Sequence, residues 1–244
     1  MLTSLQNAKV KDWKKLHKRK YRNQTGTFLV EGFHLFEEVM KSGWTVKELI
    51  IREETDIELP DDIPYTIVSR DVFASVAETE TPQGIAAVVA KEDYTFTPGS
   101  LTLMLDAVQD PGNIGTLIRT ADAAGFDQVI VGTGSVDIFN DKVIRASQGS
   151  LFHLPVFTGD LGAYVQVLKD QGVEIWASAL ENAVSFKELA VPEKAALVIG
   201  NEGSGISEEL IEAADQQVYI PIYGQAESLN AAVAGAVLMY YLKS

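Results

Sequence analysis

The stretch LTLMLDAVQDPGNIGTLIRTADAAG, residues 101–125, contains the pattern that decides the fold of the larger part of the chain. Leu101–Leu105 is a continuous apolar run, which is typical of a parallel strand covered on both faces. Asp110 can cap a following helix, and Pro111 stands at the first helical position, where a missing N–H costs nothing. Gly125 supplies a stop, so the pattern predicts a strand, a loop and a helix in succession.

The same alternation continues to the C-terminus and predicts an α/β domain with a parallel sheet. Buried strands are predicted at 128–131, 173–178, 195–199 and 218–222. Helices are predicted near 141–151, 161–171, 207–213 and 229–242.

The N-terminal part is predicted to be a smaller α/β unit. It begins with a strongly basic helix over 9–22 and alternates short strands and helices up to an apolar strand at 85–90. The polar stretch 91–100, which contains Pro-Gly, is typical of a linker. We therefore predict two domains, residues 1–95 and residues 101–244.

The composition excludes several kinds of site. A chain without cysteine has no disulfide, no thiolate nucleophile and no Cys-ligated zinc. His17, His34 and His153 show no metal-ligand spacing, and no G-x-S-x-G hydrolase motif is present, so we predict no metal site and no serine hydrolase. Because no run approaches roughly 18 apolar residues and the first ten residues lack a signal-peptide core, we expect a cytoplasmic protein outside the membrane.

The charge is unevenly distributed along the chain. The net charge is -14, yet residues 1–52 carry 11 basic and 5 acidic residues. The densest stretch, 9–22, holds eight basic residues and only Asp12 as an acid. Such a cluster is typical of a phosphate-binding surface, although a solvated helix face is the alternative.

Three loops directly follow predicted buried strands, which is where open α/β sheets bind their ligands. They span 106–115, 200–205 and 221–230. The second, GNEGSG, allows close backbone approach to a ligand, but it is not a P-loop because no Lys-Ser/Thr pair follows. Gly132-x-Gly134 lacks the third glycine of a dinucleotide fingerprint, so we predict a turn there.

Together these loops resemble the motifs of the SpoU (TrmH-like) family of RNA 2′-O-ribose methyltransferases, within the SPOUT superfamily. The motifs are DPGNIGTLIRTADAAG (110–125), LVIGNEGSGI (197–206) and IPIYGQAESLNAAVA (220–234). The N-terminal stretch through TFLVEG (27–32) is similar to that family's small, ribosomal-protein-like α/β substrate-binding domain. A mild departure is Ala231-Ala232, where relatives often carry Val and a small polar residue.

The resemblance implies a six-stranded parallel sheet with a deep trefoil knot, and a homodimer. It implies that S-adenosylmethionine sits bent in the knot, held mostly by main-chain atoms. The backbone around Gly200, Ile220 and Leu229 would supply that contact, with Ala179 and Asn201 nearby.

The resemblance also implies the residues at the point of transfer and on the RNA. Matching to the motifs places there Asn113, Arg119, Glu202, Ser228 and Asn230. The residues expected to bind RNA are Lys14, Lys15, Lys18, Arg19, Lys20 and Arg22.

The chemistry of methyl transfer agrees with this set. A sulfonium donor is already activated, so transfer needs no metal and demands mainly an in-line approach of the 2′-oxygen. A ribose hydroxyl is a poor nucleophile, so a group must orient it and accept its proton. A guanidinium is always protonated, and we therefore favour Arg119 as a stabiliser of a phosphate or an oxyanion. The base stays open between an RNA phosphate oxygen and Glu202.

Other interpretations remain at this point. Glu202 could be an exposed loop carboxylate and Ser228 a helix cap. The whole protein could be a catalytically silent RNA-binding or assembly factor, or, less well supported, a nicotinamide-dependent oxidoreductase built on Gly132-x-Gly134. Ribosomal RNA is favoured over tRNA, because an added N-terminal domain suggests a large structured target.

Overall fold

The computed structural model describes residues 1–58, 60–180 and 182–244, which form two compact units. One contains residues 1–93 and 139–152, and the other contains residues 94–138 and 153–244. The helices are α1 (Ala8–Lys15), α2 (Arg19–Thr25), α3 (Phe33–Ser42), α4 (Arg70–Val76), α5 (Pro111–Ala123), α6 (Asp141–Ser147), α7 (Leu161–Asp170), α8 (Glu208–Ala213) and α9 (Ala231–Leu242). The strands are β1 (Thr27–Glu31), β2 (Val46–Arg52), β3 (Tyr65–Val68), β4 (Ile85–Ala90), β5 (Leu101–Leu105), β6 (Gln128–Gly132), β7 (Val156–Gly159), β8 (Glu174–Ser178), β9 (Val184–Ser185), β10 (Ala195–Ile199) and β11 (Gln216–Tyr219).

The first unit is built on a four-stranded sheet in the order β1-β4-β2-β3. Strand β4 pairs antiparallel with both neighbours, whereas β2 and β3 are parallel. Val10 and Trp13 of α1 pack with Val72 and Phe73 of α4 in one buried apolar cluster. These contacts fix the basic N-terminal segment to the sheet.

The single basic helix predicted over 9–22 is in fact two helices. Helix α1 ends at Lys15 and α2 begins at Arg19. The buried guanidinium of Arg22 holds the break, because Nη1 donates to the carbonyls of Leu16 at 2.8 Å and His17 at 2.9 Å. Arg22 therefore has a structural role, and its inclusion among the predicted RNA-binding residues is corrected.

Residues 139–152 lie between β6 and β7 in sequence but pack in the first unit. The ring of Phe139 lies 4.6 Å from that of Phe28, and the ring of Phe152 lies 5.4 Å from that of Trp44. Burying these rings gives the segment its place, although its sequence falls inside the range predicted for the catalytic domain.

The second unit is a seven-stranded, wholly parallel sheet in the order β7-β6-β5-β10-β8-β11-β9. The expected number was six, and the seventh is the two-residue edge strand β9. The predicted strand 218–222 is displaced, since β11 ends at Tyr219. Strands β5, β6 and β10 are buried along their whole length, as the apolar runs predict. Because the strands are parallel, the carboxyl ends of β10, β8 and β11 meet at one edge.

Helix α5 begins and ends as its sequence predicts. The Asp110 carboxylate accepts a hydrogen bond from the Asn113 N–H at 2.8 Å, and Pro111 is the first helical residue. Gly125 follows the helix with a left-handed φ of 70°. Gly132 is the last residue of β6 and Gly134 lies in the turn that directly follows, which confirms the predicted turn.

Candidate active site

A cavity of about 410 Å³ opens at the carboxyl ends of β8, β10 and β11 and at the start of α9. Its size falls in the range of roughly 300–1,000 Å³ that is usual for small-molecule sites. All five residues predicted to bind a cofactor line it, and so do three of the five predicted catalytic residues. The first group is Ala179, Gly200, Asn201, Ile220 and Leu229; the second is Glu202, Ser228 and Asn230.

Gly200 must be a glycine because two backbone segments meet there. A methyl group at this residue would overlap the backbone of Gly205 and Ile206. The main chains of Asn201 and Gly205 pair with each other at 2.9 and 3.0 Å, which closes the loop on itself. The cavity wall is therefore formed by main-chain atoms at this point.

Asn201 shapes this loop and ties it to the loop that follows β5. Its Oδ1 accepts hydrogen bonds from the N–H groups of Gly203 at 2.9 Å and Ser204 at 3.0 Å. Its Nδ2 donates to the Ala107 carbonyl at 2.8 Å. Ala107 adopts a left-handed φ of 51°, so the side chain of Asn201 holds a strained turn in place.

A chain of side-chain hydrogen bonds connects the three loops predicted from the sequence. Asn230 Nδ2 donates to Asn113 Oδ1 at 3.0 Å, and Asn113 Nδ2 donates to Glu202 Oε1 at 2.9 Å. Asn230 Oδ1 also accepts from the Ala232 N–H at 2.9 Å and so caps α9. Asn113 itself is buried and does not line the cavity.

The Glu202 carboxylate is a hydrogen-bond acceptor for the start of α5. Oε2 accepts from the Gln109 N–H at 3.2 Å, and Oε1 accepts from the Asp110 N–H at 3.1 Å. Burial alone would raise the pKa of Glu202, but the hydrogen bonds from Asn113 and from backbone N–H groups outweigh it and lower that pKa below its ordinary value. The side chain is thus firmly ionised at neutral pH.

Arg119 stands apart from the other predicted catalytic residues. Its side chain is exposed on α5 and does not line the cavity. No described residue forms an ion pair or a hydrogen bond with its guanidinium. Within one copy of the chain, the structure therefore brings together Asn113, Glu202, Ser228 and Asn230 but not Arg119.

The basic residues predicted to bind RNA lie in the first unit. Lys14, Lys18, Arg19 and Lys20 are exposed and, among the described residues, have no acidic partner. Lys15 is exposed as well, and its Nζ lies 2.7 Å from Asp12 Oδ1.

Sequence reasoning missed several cavity residues. Ser178, Leu180, Tyr219 and Ile222 also line the cavity. Ser178 and Tyr219 are the last residues of β8 and β11, so their position at strand ends is the signal that could have identified them.

The described part of the chain contains neither a membrane-spanning helix nor a metal-binding cluster. No helix within residues 1–58, 60–180 and 182–244 has both the length and the apolarity to cross a membrane. No group of three or more acidic or histidine side chains in those ranges is arranged to hold a metal ion.

Comparisons with known proteins cover both units. Residues 100–240 match the SpoU rRNA Methylase family, and residues 7–87 match the MRM3-like substrate binding domain. The 23S rRNA (guanosine(2553)-2'-O)-methyltransferase RlmP of Bacillus subtilis (strain 168) is 50% identical over 244 residues, which are 99% of this chain and 98% of that protein.

Solved structures of similar proteins have the same fold over nearly the whole chain. The AdoMet-bound rRNA methyltransferase from Sinorhizobium meliloti is 29% identical, with a TM-score of 0.88 over 99% of this chain and 96% of that one. The SpoU methyltransferase AviRb from Streptomyces viridochromogenes, in complex with AdoMet, is 27% identical, with a TM-score of 0.87 over 98% and 97%.

Proposed function

The chain belongs to the SpoU methylase family, and from that premise we propose that it methylates a guanosine ribose 2′-hydroxyl in 23S ribosomal RNA, with S-adenosylmethionine as the methyl donor. The observation that carries the proposal is the cavity of about 410 Å³, which residues of the second and third family motifs line. The first motif is joined to it through Asn113, which hydrogen-bonds to Glu202 and Asn230. The choice of ribosomal RNA over tRNA rests on the 50% identity to RlmP.

The cavity fits S-adenosylmethionine in size and in the chemistry of its walls. The main chain of Gly200 and Ile220 and the small side chain of Ala179 leave room for a ligand and offer it backbone donors and acceptors. When bound, the sulfonium of this donor supplies an already activated methyl group. Gly200, Asn201, Ile220, Leu229 and Ala179 are thus the proposed donor-binding residues.

Asn113, Glu202 and Asn230 act as a positioning set in this proposal. Their hydrogen bonds fix the loops after β5 and β10 against the start of α9, so the cavity keeps one shape. A site held within a fraction of an ångström favours the in-line geometry that methyl transfer requires. Ser228, exposed at the cavity wall, is placed to contact the incoming ribose.

Of the two candidate bases, we favour a phosphate oxygen of the RNA over Glu202. The Glu202 carboxylate already accepts hydrogen bonds from Asn113, Gln109 and Asp110, and they lower its pKa. Both oxygens of the carboxylate are thus engaged by donors of the protein itself, which favours a positioning role for Glu202 and leaves the proton to a phosphate oxygen that arrives with the ribose.

Arg119 is proposed to act across a homodimer, at the partner's cavity. The exposed face of α9 carries Val233, Val237 and Tyr240, which are 50%, 38% and 56% exposed and recur at helical spacing. Because α5 packs against α9, Arg119 lies on the helix beside this apolar stripe. A second copy of the chain would bury this apolar stripe in a dimer interface. The Arg119 guanidinium of one copy would then stabilise the negative charge that develops on the ribose oxygen in the other copy's cavity.

The division of labour follows the predicted domains. Residues 1–95 are proposed to bind RNA through Lys14, Lys15, Lys18, Arg19 and Lys20, and residues 101–244 to bind the donor and carry out the transfer. Four of these residues are exposed and have no acidic partner in the described part of the chain, so their charges are available to phosphates, which supports this assignment; they are Lys14, Lys18, Arg19 and Lys20.

We further propose that the C-terminal part of residues 101–244 forms the trefoil knot implied by the family. The strand order, in which β10 lies between β5 and β8, supports this topology. We expect the protein to work in the cytoplasm, where its RNA substrate is assembled.

The deciding experiment maps 2′-O-methylation in total RNA from cells with and without the gene. We expect one guanosine of 23S rRNA to lose its methyl group in the deletion strain, and the purified protein with S-adenosylmethionine to restore it. If the deletion strain instead loses a methyl group from a tRNA, the substrate is tRNA and not 23S rRNA. No lost methyl group in any RNA would support a catalytically silent assembly factor.

A further inference from the structure

The ring of Tyr223 stands in solvent at the edge of the cavity. At 86% exposure, it is the most exposed large hydrophobic side chain among the residues that the structure describes. The preceding residue, Ile222, lines the cavity, whereas Tyr223 does not. The exposed ring therefore follows directly on the wall of the proposed active site.

Folding alone does not account for this position. Lys187 Nζ lies 5.9 Å from the centroid of the Tyr223 ring, and an exposed cation–π contact of this kind contributes little to stability. A single exposed aromatic ring is ordinary on a protein surface. The position of Tyr223 beside both a cavity-lining residue and a lysine is what indicates a function for its ring.

Lys187 brings a positive charge to the ring. It lies in the turn after β9, and its Nζ is 5.8 Å from the centroid of the buried Phe186 ring. Phe186 packs edge-on against Tyr241, at 4.9 Å between centroids, which anchors the turn. No carboxylate of a described residue lies within 4.0 Å of Lys187 Nζ, so its charge is available to an anion.

The lining of the cavity adds exposed apolar side chains. Leu180 is 67% exposed and Leu229 is also exposed, and both line the cavity. An aromatic face, a cation and exposed apolar side chains together match the chemistry of an unstacked RNA nucleotide. Bases stack on aromatic rings, and phosphates bind lysine.

We propose that Tyr223 and Lys187 bind the RNA nucleotide that enters the active site, with its base stacked on Tyr223 and its phosphate at Lys187. The inference rests on the proposed function, and it names the part of the chain that holds the substrate nucleotide. Both residues are positioning residues: they set the ribose over the cavity and take no part in bond making. The substrate they require is a base that has left its helix, in a loop or an opened stem.

The test compares Tyr223→Ala, Tyr223→Phe and Lys187→Gln with the wild-type protein. Tyr65→Ala is the control, because Tyr65 is another exposed tyrosine, 51% exposed, on β3 of the first unit. Affinity for a 23S rRNA fragment is measured by fluorescence anisotropy over a range of salt, and KM and kcat for methylation are measured on the same fragment. Donor affinity is measured by calorimetry, and oligomeric state by light scattering.

We expect Tyr223→Ala to weaken RNA affinity and raise the RNA KM about tenfold or more, on the scale of one lost base stack. Tyr223→Phe should remain close to wild type, because stacking needs the ring and not the hydroxyl. Lys187→Gln should weaken RNA affinity and flatten its salt dependence by about 0.7–0.9, the slope of one phosphate contact. Donor affinity should be unchanged in all three variants.

The outcomes separate this inference from the proposed function. If the wild-type protein methylates no RNA, the proposed function fails, and the anisotropy comparison still decides the nucleotide site. Wild-type RNA affinity and KM in Tyr223→Ala would overturn the inference. So would a loss that Tyr223→Phe fails to rescue, or dissociation of the dimer by Tyr223→Ala, since either would give the ring a structural role.

Discussion

Replacing Glu202 tests whether this carboxylate positions the active site or acts as the base. In Glu202→Gln the side chain keeps its shape but loses its charge, and its NH₂ group must face at least one of the donors that now converge on the carboxylate. Those donors are the N–H groups of Gln109 and Asp110 and Nδ2 of Asn113. The start of α5 therefore loses one or more acceptors.

The magnitude follows from these contacts. A hydrogen bond to a charged group contributes roughly 1.5–3 kcal/mol when it is well buried. Glu202 is largely exposed, so water replaces part of what is lost and the net cost should be about 1–2 kcal/mol. For a domain of this size, that change lowers Tm by roughly 2–8 °C.

The pH dependence has a defined sign. The pKa of Glu202 is lower in the folded protein than its ordinary value, so its stabilisation is complete above that ordinary value and is lost as the pH falls through the lowered one. The difference in Tm between wild type and Glu202→Gln should be largest at neutral pH and should shrink in acid.

Thermal unfolding between neutral and acidic pH, together with single-turnover methylation, measures both roles. We expect the Tm difference described above and a reduced rate whose pH profile keeps the shape of the wild-type profile. Equal Tm values at neutral pH would refute the positioning role. Loss of the acidic limb of the rate profile, with stability unchanged, would show that Glu202 is the base after all.

Three further predictions concern the two units. Arg119→Lys should lower the rate of methyl transfer about a hundredfold, because an ammonium cannot replace a planar guanidinium. Donor binding and the dimer should be unchanged, and near-normal turnover would refute the proposed role of the guanidinium at the oxyanion. Gly200→Ala should abolish the thermal stabilisation by S-adenosylmethionine, because the added methyl group overlaps the backbone of Gly205. Gly203→Ala is the control in the same melting assay: its methyl group makes only an ordinary contact, so the stabilisation should be retained. Replacing the basic residues together should weaken RNA binding and flatten its salt slope without changing donor affinity in calorimetry; an unaltered RNA affinity would mean a solvated face. The residues replaced are Lys14, Lys15, Lys18 and Arg19.

Local sequence determined the elements and the edge of the sheet where the site lies. The apolar run Leu101–Leu105 and the cap at Asp110 predict β5 and α5 because their determinants are neighbours in the chain. The rule that ligands bind at the carboxyl ends of parallel strands then places the loops after β5 and β10 at one site. The close backbone approach in the loop after β10 was likewise predictable, from its glycines.

Tertiary structure alone decided what depends on contacts between distant residues. Nothing near Arg22 in sequence shows that its guanidinium would be buried against two carbonyls and divide the predicted helix over 9–22. Likewise, residues 139–152 join the first unit through aromatic rings that contact Phe28 and Trp44, each more than a hundred residues earlier in the chain.

The same distinction applies to the candidate site. Sequence motifs select Asn113, Glu202 and Asn230 but cannot show that the first joins the other two by hydrogen bonds across 89 and 117 positions of the chain. They also cannot show that Arg119 is exposed and does not line the cavity of its own chain. Backbone preferences are local and can be read from neighbouring residues, whereas side-chain partnership depends on packing that only the folded chain creates.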